Sequence, residues 1–197
     1  MKRKRVAFLA SGGGSNVEAL LQAMADPGYP AEAVLVFCNR PGAGVLEKAA
    51  RWNVPAAVVD HRAFPDRAAF DAEAVRVLRK AEPDLLCLAG YLRILTPGFV
   101  EAFRGRMLNI HPSLLPKFGG PGMHGHHVHE AVLAAGERES GATVHWVVEG
   151  VDAGEIVAQR RVPVLEGDDA DRLAARVLTA EHQVYAEALR KVCGAGS

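Results

Sequence analysis

Short unbroken apolar runs alternate with amphipathic stretches along most of this chain. Residues 6–10 are apolar throughout, three glycines follow, and an amphipathic stretch occupies 17–24, which predicts strand, tight loop and helix. The same alternation predicts strands at 33–38 and 56–60 around a helix at 45–52, then a helix at 66–81 that stops before Pro83. Residues 85–88 are four apolar positions in a row, the pattern of a strand covered on both faces, and 90–95 is its carboxyl-end loop. A fifth strand is expected at 107–111, two more at 143–148 and 156–162, a helix entered by the histidines at 124–129 and running to Ala135, and a long closing helix at 170–189. Repeated β-α-β units imply an α/β fold: one domain spanning 1–197, with a doubly wound, mostly parallel sheet, helices on both faces and Rossmann-like winding. In that winding the first and fourth strands are neighbours whose helices leave to opposite faces. The glycine loop at 12–14 and the loop at 90–95 should therefore flank one crevice, with the fifth strand beside the fourth.

The expected fifth strand brings in chemistry. Alternation along a strand puts Asn109 and His111 on one face and Leu108 and Ile110 on the other, and Pro112 ends the strand with His111 at its carboxyl edge. An amide beside an imidazole suits acyl transfer, since one steadies an oxyanion while the other exchanges a proton. The same two residues would also serve as a loop cap and a satisfied core histidine. Ser113 lacks a G-x-S-x-G elbow and fits a turn better than a nucleophile, so direct transfer is expected rather than a covalent enzyme intermediate. The glycine loop has a phosphate-binding shape, with Ser15 or Asn16 able to cap the following helix. It matches neither G-x-G-x-x-G nor the Walker pattern, which disfavours NAD and ATP, and a plain glycine turn would look the same.

Composition narrows the partners. Lysine plus arginine equals aspartate plus glutamate at 23 each, so there is no net field to draw nucleic acid or a membrane surface, and the basic run at 2–5 reads as a solvated tail. No apolar run is long enough to cross a bilayer or to form a signal-peptide core. Cys38, Cys87 and Cys193 are odd in number and widely spaced, which fits a reducing cytoplasm better than a disulfide framework. Small-molecule ligands are the expectation, and neither a monomer nor a homodimer is favoured. His124, His126, His127 and His129 suggest a metal, but H-E-x-x-H is absent and no metal is expected.

The run 109–116, Asn-Ile-His-Pro-Ser-Leu-Leu-Pro, resembles the folate-dependent formyltransferases, as do Ala-Gly-Tyr-Leu-Arg-Ile-Leu at 89–95 before it and Asp-Ala-Gly at 152–154 after it. The segment 11–16, Ser-Gly-Gly-Gly-Ser-Asn, resembles the purine-pathway branch of that family. The likeness covers nearly the whole chain. It implies transfer of the formyl group of 10-formyltetrahydrofolate, a co-substrate, to the glycyl amine of glycinamide ribonucleotide. Matched by position, the family's catalytic set falls on Asn109, His111 and Asp152, a turn aspartate that the sequence alone would leave solvated. Protonated His111 and Asn109 would hold the oxyanion, with Asp152 supporting the imidazole. The phosphate loop falls on Gly14, Ser15 and Asn16, and the ribose contact on Glu181. The folate wall falls on Leu92, Arg93, Ile94 and Leu95 with Arg67, and Asn109 also borders it. The loop at 118–129 is longer than the commoner bacterial pattern, and His126 is the histidine expected to face the acceptor. Formyltransferases acting on methionyl-tRNA or a sugar nucleotide remain alternatives. The tRNA enzymes are expected to add a carboxyl-terminal domain and a basic surface, and formate-releasing hydrolases an amino-terminal domain. A non-catalytic phosphoribosyl-binding module is the competing class.

Overall fold

The two most continuously buried apolar runs, β1 (Lys4–Ala10) and β4 (Leu85–Leu88), lie side by side in the middle of the sheet, as near-unbroken hydrophobicity requires of strands covered on both faces. The computed structural model describes residues 2–195. Around that pair it places α1 (Ser15–Met24), β2 (Ala31–Cys38), α2 (Val45–Arg51), β3 (Ala56–Val58), α3 (Arg67–Lys80), α4 (Pro97–Ala102) and β5 (Met107–His111). The remaining elements are α5 (His126–Ala134), β6 (Glu139–Trp146), β7 (Ile156–Pro163) and α6 (Ala170–Gly194). The seven strands run in the order β3-β2-β1-β4-β5-β6-β7. The first five are parallel, and β6 and β7 pair antiparallel at the edge.

The expected winding is present. Val17, Leu20 and Leu21 of α1 pack in one core layer together with Val177, Val184 and Tyr185 of α6. Phe70, Ala74 and Leu78 of α3 pack on the opposite face with Phe99 of α4. Strands β1 and β4 thus send their helices to opposite faces, which opens a crevice above their carboxyl ends. Tyr185 reinforces that edge from below: its buried hydroxyl lies 3.0 Å from the Leu88 carbonyl and 3.1 Å from that of Leu108, tying α6 to both β4 and β5.

Several expectations are corrected. Strand β6 begins at Glu139 rather than 143, because Ser140, Gly141 and Ala142 are paired along β7, and it ends at Trp146 rather than 148. Strand β3 stops at Val58, and the chain turns into a short 3-10 segment capped by Asp60. Helix α4 was not expected at all, although Thr96-Pro97 is a start signal: the threonine hydroxyl accepts the Phe99 N–H at 3.3 Å and proline occupies the first turn. Neither Ser15 nor Asn16 caps α1. Gly14 holds the cap position in the left-handed region (φ 71°), with no side-chain cap bond, and both residues lie inside the helix.

Candidate active site

A cavity of about 850 Å³ opens at the carboxyl ends of β4 and β5, a size suited to a bound small molecule. Asn16, Glu181, Leu92, Arg93, Ile94, Leu95, Asn109, His111, Asp152 and His126 all line it. Gly14, Ser15 and Arg67 do not; Arg67 is exposed on the first turn of α3, and Arg93 takes the nearer place, its guanidinium 5.2 Å above the Phe70 ring.

Asp152 is the meeting point of the polar floor. It is 9% exposed at the side chain, although it sits in a turn, and its backbone is left-handed with φ 54°. Its Oδ2 accepts the Gly120 N–H at 3.0 Å and lies 3.5 Å from His111 Nδ1, while its Oδ1 lies 3.6 Å from His145 Nε2. Burial alone would raise its pKa, but the His145 and His111 imidazoles and the Gly120 N–H outweigh burial and hold it below the ordinary aspartate value. Asp152 is therefore ionised at neutral pH.

His111 is 4% exposed. Burial moves its pKa below the ordinary 6.5, and the Asp152 charge and the Phe118 carbonyl oppose that shift without cancelling it. The resting imidazole is neutral at pH 7, with Nε2–H donated to the Phe118 carbonyl at 2.8 Å. Burial thus favours the neutral ring over the protonated His111 expected from the sequence, while Nδ1, 3.5 Å from Asp152 Oδ2, is where a second hydrogen would sit.

His145 was missed by sequence reasoning. It is the cross-strand partner of Asn109 on β6, and its Nδ1–H donates to the Trp146 carbonyl at 3.0 Å, leaving Nε2 to accept from the Asn109 amide at 3.1 Å. An amide has two N–H groups, so one remains for a ligand. The alternation in Thr-Val-His on a strand next to β5 was the available signal, but the register was not readable from sequence.

At the opposite side of the cavity, Asn16 donates its amide to Glu181 Oε2 at 2.6 Å, joining α1 to α6. Burial raises the Glu181 pKa, with the Asn16 hydrogen bond opposing. The Glu18 N–H returns to the Gly14 carbonyl, so the amides of Ser15, Asn16 and Val17 lack intrahelical partners and form an anion-attracting helix start. A Cβ on Gly14 would lie 2.5 Å from Val45 Cγ2 and 2.6 Å from Val45 Cβ. Gly14→Val is accordingly expected to destabilise the fold by about 2–6 kcal/mol from backbone strain and overpacking together, read by denaturant unfolding. Gly13→Ala, where the added carbon meets nothing within 4 Å, should unfold as the parent does.

Ser113 is fully buried, and its hydroxyl donates to the Lys117 carbonyl at 2.7 Å, a turn role. The histidine loop forms two edge-on pairs, His124 with His127 and His126 with His129, and among the described residues no group of three or more potential ligands is placed to hold a metal. His126 Nε2 pairs with Asp171 Oδ1 at 3.1 Å on the exposed rim. No helix among the described residues is long and apolar enough to cross a membrane.

The chain is similar to the phosphoribosylglycinamide formyltransferase of Brucella melitensis, with 47% identity and a TM-score of 0.91 over 98% of this chain and 96% of that one. It is 41% identical over 193 residues to the chloroplastic phosphoribosylglycinamide formyltransferase of Arabidopsis thaliana, covering 98% of this chain and 66% of that protein. It is also 50% identical over 189 residues, 95% of its length, to the trifunctional purine biosynthetic protein adenosine-3 of Drosophila pseudoobscura pseudoobscura, of which it spans only 14%. Residues 4–189 match the family described as formyl transferase, and with that extent of match over the same elements that build the cavity, the chain belongs to the formyl transferase family.

Proposed function

We propose that this protein transfers the formyl group of 10-formyltetrahydrofolate to the glycyl amine of glycinamide ribonucleotide, as a cytoplasmic enzyme. The observation that carries this reading is the convergence of Asn109, His111 and Asp152 on one cavity floor, between an apolar wall and a helix start suited to a phosphate. The wall fits a flat heterocycle: Leu92 and Ile94 are 49% and 53% exposed, large apolar side chains left open to a ligand. In this reading the phosphate lies at the α1 start, Glu181 meets the ribose, and the donor lies along 92–95. The two substrates then meet at Asn109.

Asn109 donates its remaining N–H to the oxyanion that forms as the amine attacks the formyl carbon. The neutral His111 imidazole takes the amine proton through a bridging water, and ionised Asp152 steadies the imidazolium so formed. The same proton passes to the departing folate nitrogen as its bond to the formyl carbon breaks. The step is balanced without ATP or a metal.

The test is incubation of the purified protein with both substrates, without ATP and with a chelator, which should yield formylated acceptor and free tetrahydrofolate in equal amounts. Binding of a phosphoribosyl ligand without any turnover would favour a binding module. The pH profile separates two protonation schemes. If neutral His111 is the proton acceptor, turnover should be level from about pH 7 to 8 and fall as pH drops through a pKa below ~6.5. A rate that instead rises as the pH falls below that point would mean the imidazolium is the required form.

A further inference from the structure

The loop between β4 and α4, which carries Leu92, Arg93, Ile94 and Leu95, is clamped at both ends by buried side chains that do not line the cavity. At its start, Ser11 Oγ accepts the Leu92 N–H at 2.9 Å and donates to Asn39 Oδ1 at 2.6 Å, while the Ser11 N–H donates to the Gly90 carbonyl. At its end, Asp71 Oδ2 accepts the Thr96 N–H at 2.8 Å from the second turn of α3. Ser11 is 1% exposed and Asp71 2%. Between the clamps, the main-chain groups of Arg93, Ile94 and Leu95 make no hydrogen bond among the described residues, so they are left for a ligand.

The other oxygen of Asp71, Oδ1, and the neighbouring Tyr91 hydroxyl are buried and make no hydrogen bond among the described residues. Asp71 stands at the foot of a ligand-facing loop and accepts the Thr96 N–H, which is a place from which to hold that loop.

We propose that Ser11 and Asp71 are positioning residues that pre-set the donor wall, so that the free main-chain groups of 93–95 are rigid before the folate arrives. This rests on the assignment of that wall to the formyl donor. A loop ordered in advance binds without ordering itself, so releasing either clamp weakens donor binding and leaves the acceptor side alone.

The experiment compares Asp71→Ala, Asp71→Asn and Ser11→Ala with the parent. Both alanine variants are expected to raise the donor KM at least about tenfold, with kcat and the acceptor KM within about threefold. Asp71→Asn keeps an oxygen for the Thr96 N–H and should return the donor KM to within about threefold of the parent. Amide exchange of the ligand-free protein supplies a reading independent of turnover: Thr96 should exchange at least about tenfold faster in Asp71→Ala and Leu92 likewise in Ser11→Ala, with the β1 amides unchanged. Donor KM values unchanged in both alanine variants, donor and acceptor KM rising together, or unaltered exchange at Leu92 and Thr96 would each overturn the proposal. Absence of formyl transfer by the parent would overturn the functional reading instead, and the exchange rates would then decide the clamps by themselves.

Discussion

Asp152→Asn is expected to lower turnover by about a hundredfold or more, at least ~3 kcal/mol in the barrier, while leaving both substrate affinities within about threefold. The substitution isolates charge. Asparagine keeps an oxygen for the Gly120 N–H, and it tolerates the left-handed backbone at this position better than alanine or leucine, so the turn should survive. What is lost is the negative charge 3.5 Å from His111 Nδ1, which leaves the Phe118 carbonyl, a neutral acceptor, to steady the imidazolium formed after attack. Combining the change with His111→Ala sharpens the test, because residues that act as a unit lose less together than the product of their separate losses. Turnover of the single variant within about threefold of the parent, below ~1 kcal/mol, would remove Asp152 from the mechanism.

The sheet was legible because its strands are covered on both faces. The runs at 6–10 and 85–88 have to be central, and once they are, the winding rules place the 12–14 and 90–95 loops at one crevice. Asn109 and His111 were legible for the same reason, since strand alternation and Pro112 put them at the edge. Asp152 was named only by resemblance. Its burial depends on Gly120, which approaches from a segment distant in sequence, and on His145 at the end of the preceding strand, and local pattern carries no trace of that closure. His145 and Asp71 escaped for the same physical reason: each acts on partners across the sheet or under a loop, where register and packing decide the contact. The caps at Ser15 and Asn16 were misplaced because a left-handed glycine can hold the cap position without any side chain. Arg67, matched by position to the arginine near the folate tail, is exposed outside the cavity, while Arg93 stands in its wall.

Asn109 should prove as sensitive as Asp152, and the order of its variants tests what it does. Asn109→Ala removes a single preorganised donor, an effect of about a hundredfold to a thousandfold on kcat where the donor faces a developing oxyanion. Asn109→Asp keeps the shape but sets a carboxylate where negative charge must grow, and turnover should fall below that of the alanine variant. His145 predicts a third, smaller effect. Its Nε2 orients the Asn109 amide by a 3.1 Å hydrogen bond without touching the reacting atoms, so His145→Leu should lower kcat by roughly tenfold, the weight of one orienting hydrogen bond. Donor and acceptor KM should move little in all three, because the interaction exists mainly after attack. If Asn109→Asp turned over as fast as Asn109→Ala, no negative charge would be developing beside this amide. Asn109 would then be a wall residue, and the oxyanion would have to be held by His111 after release of its hydrogen from the Phe118 carbonyl.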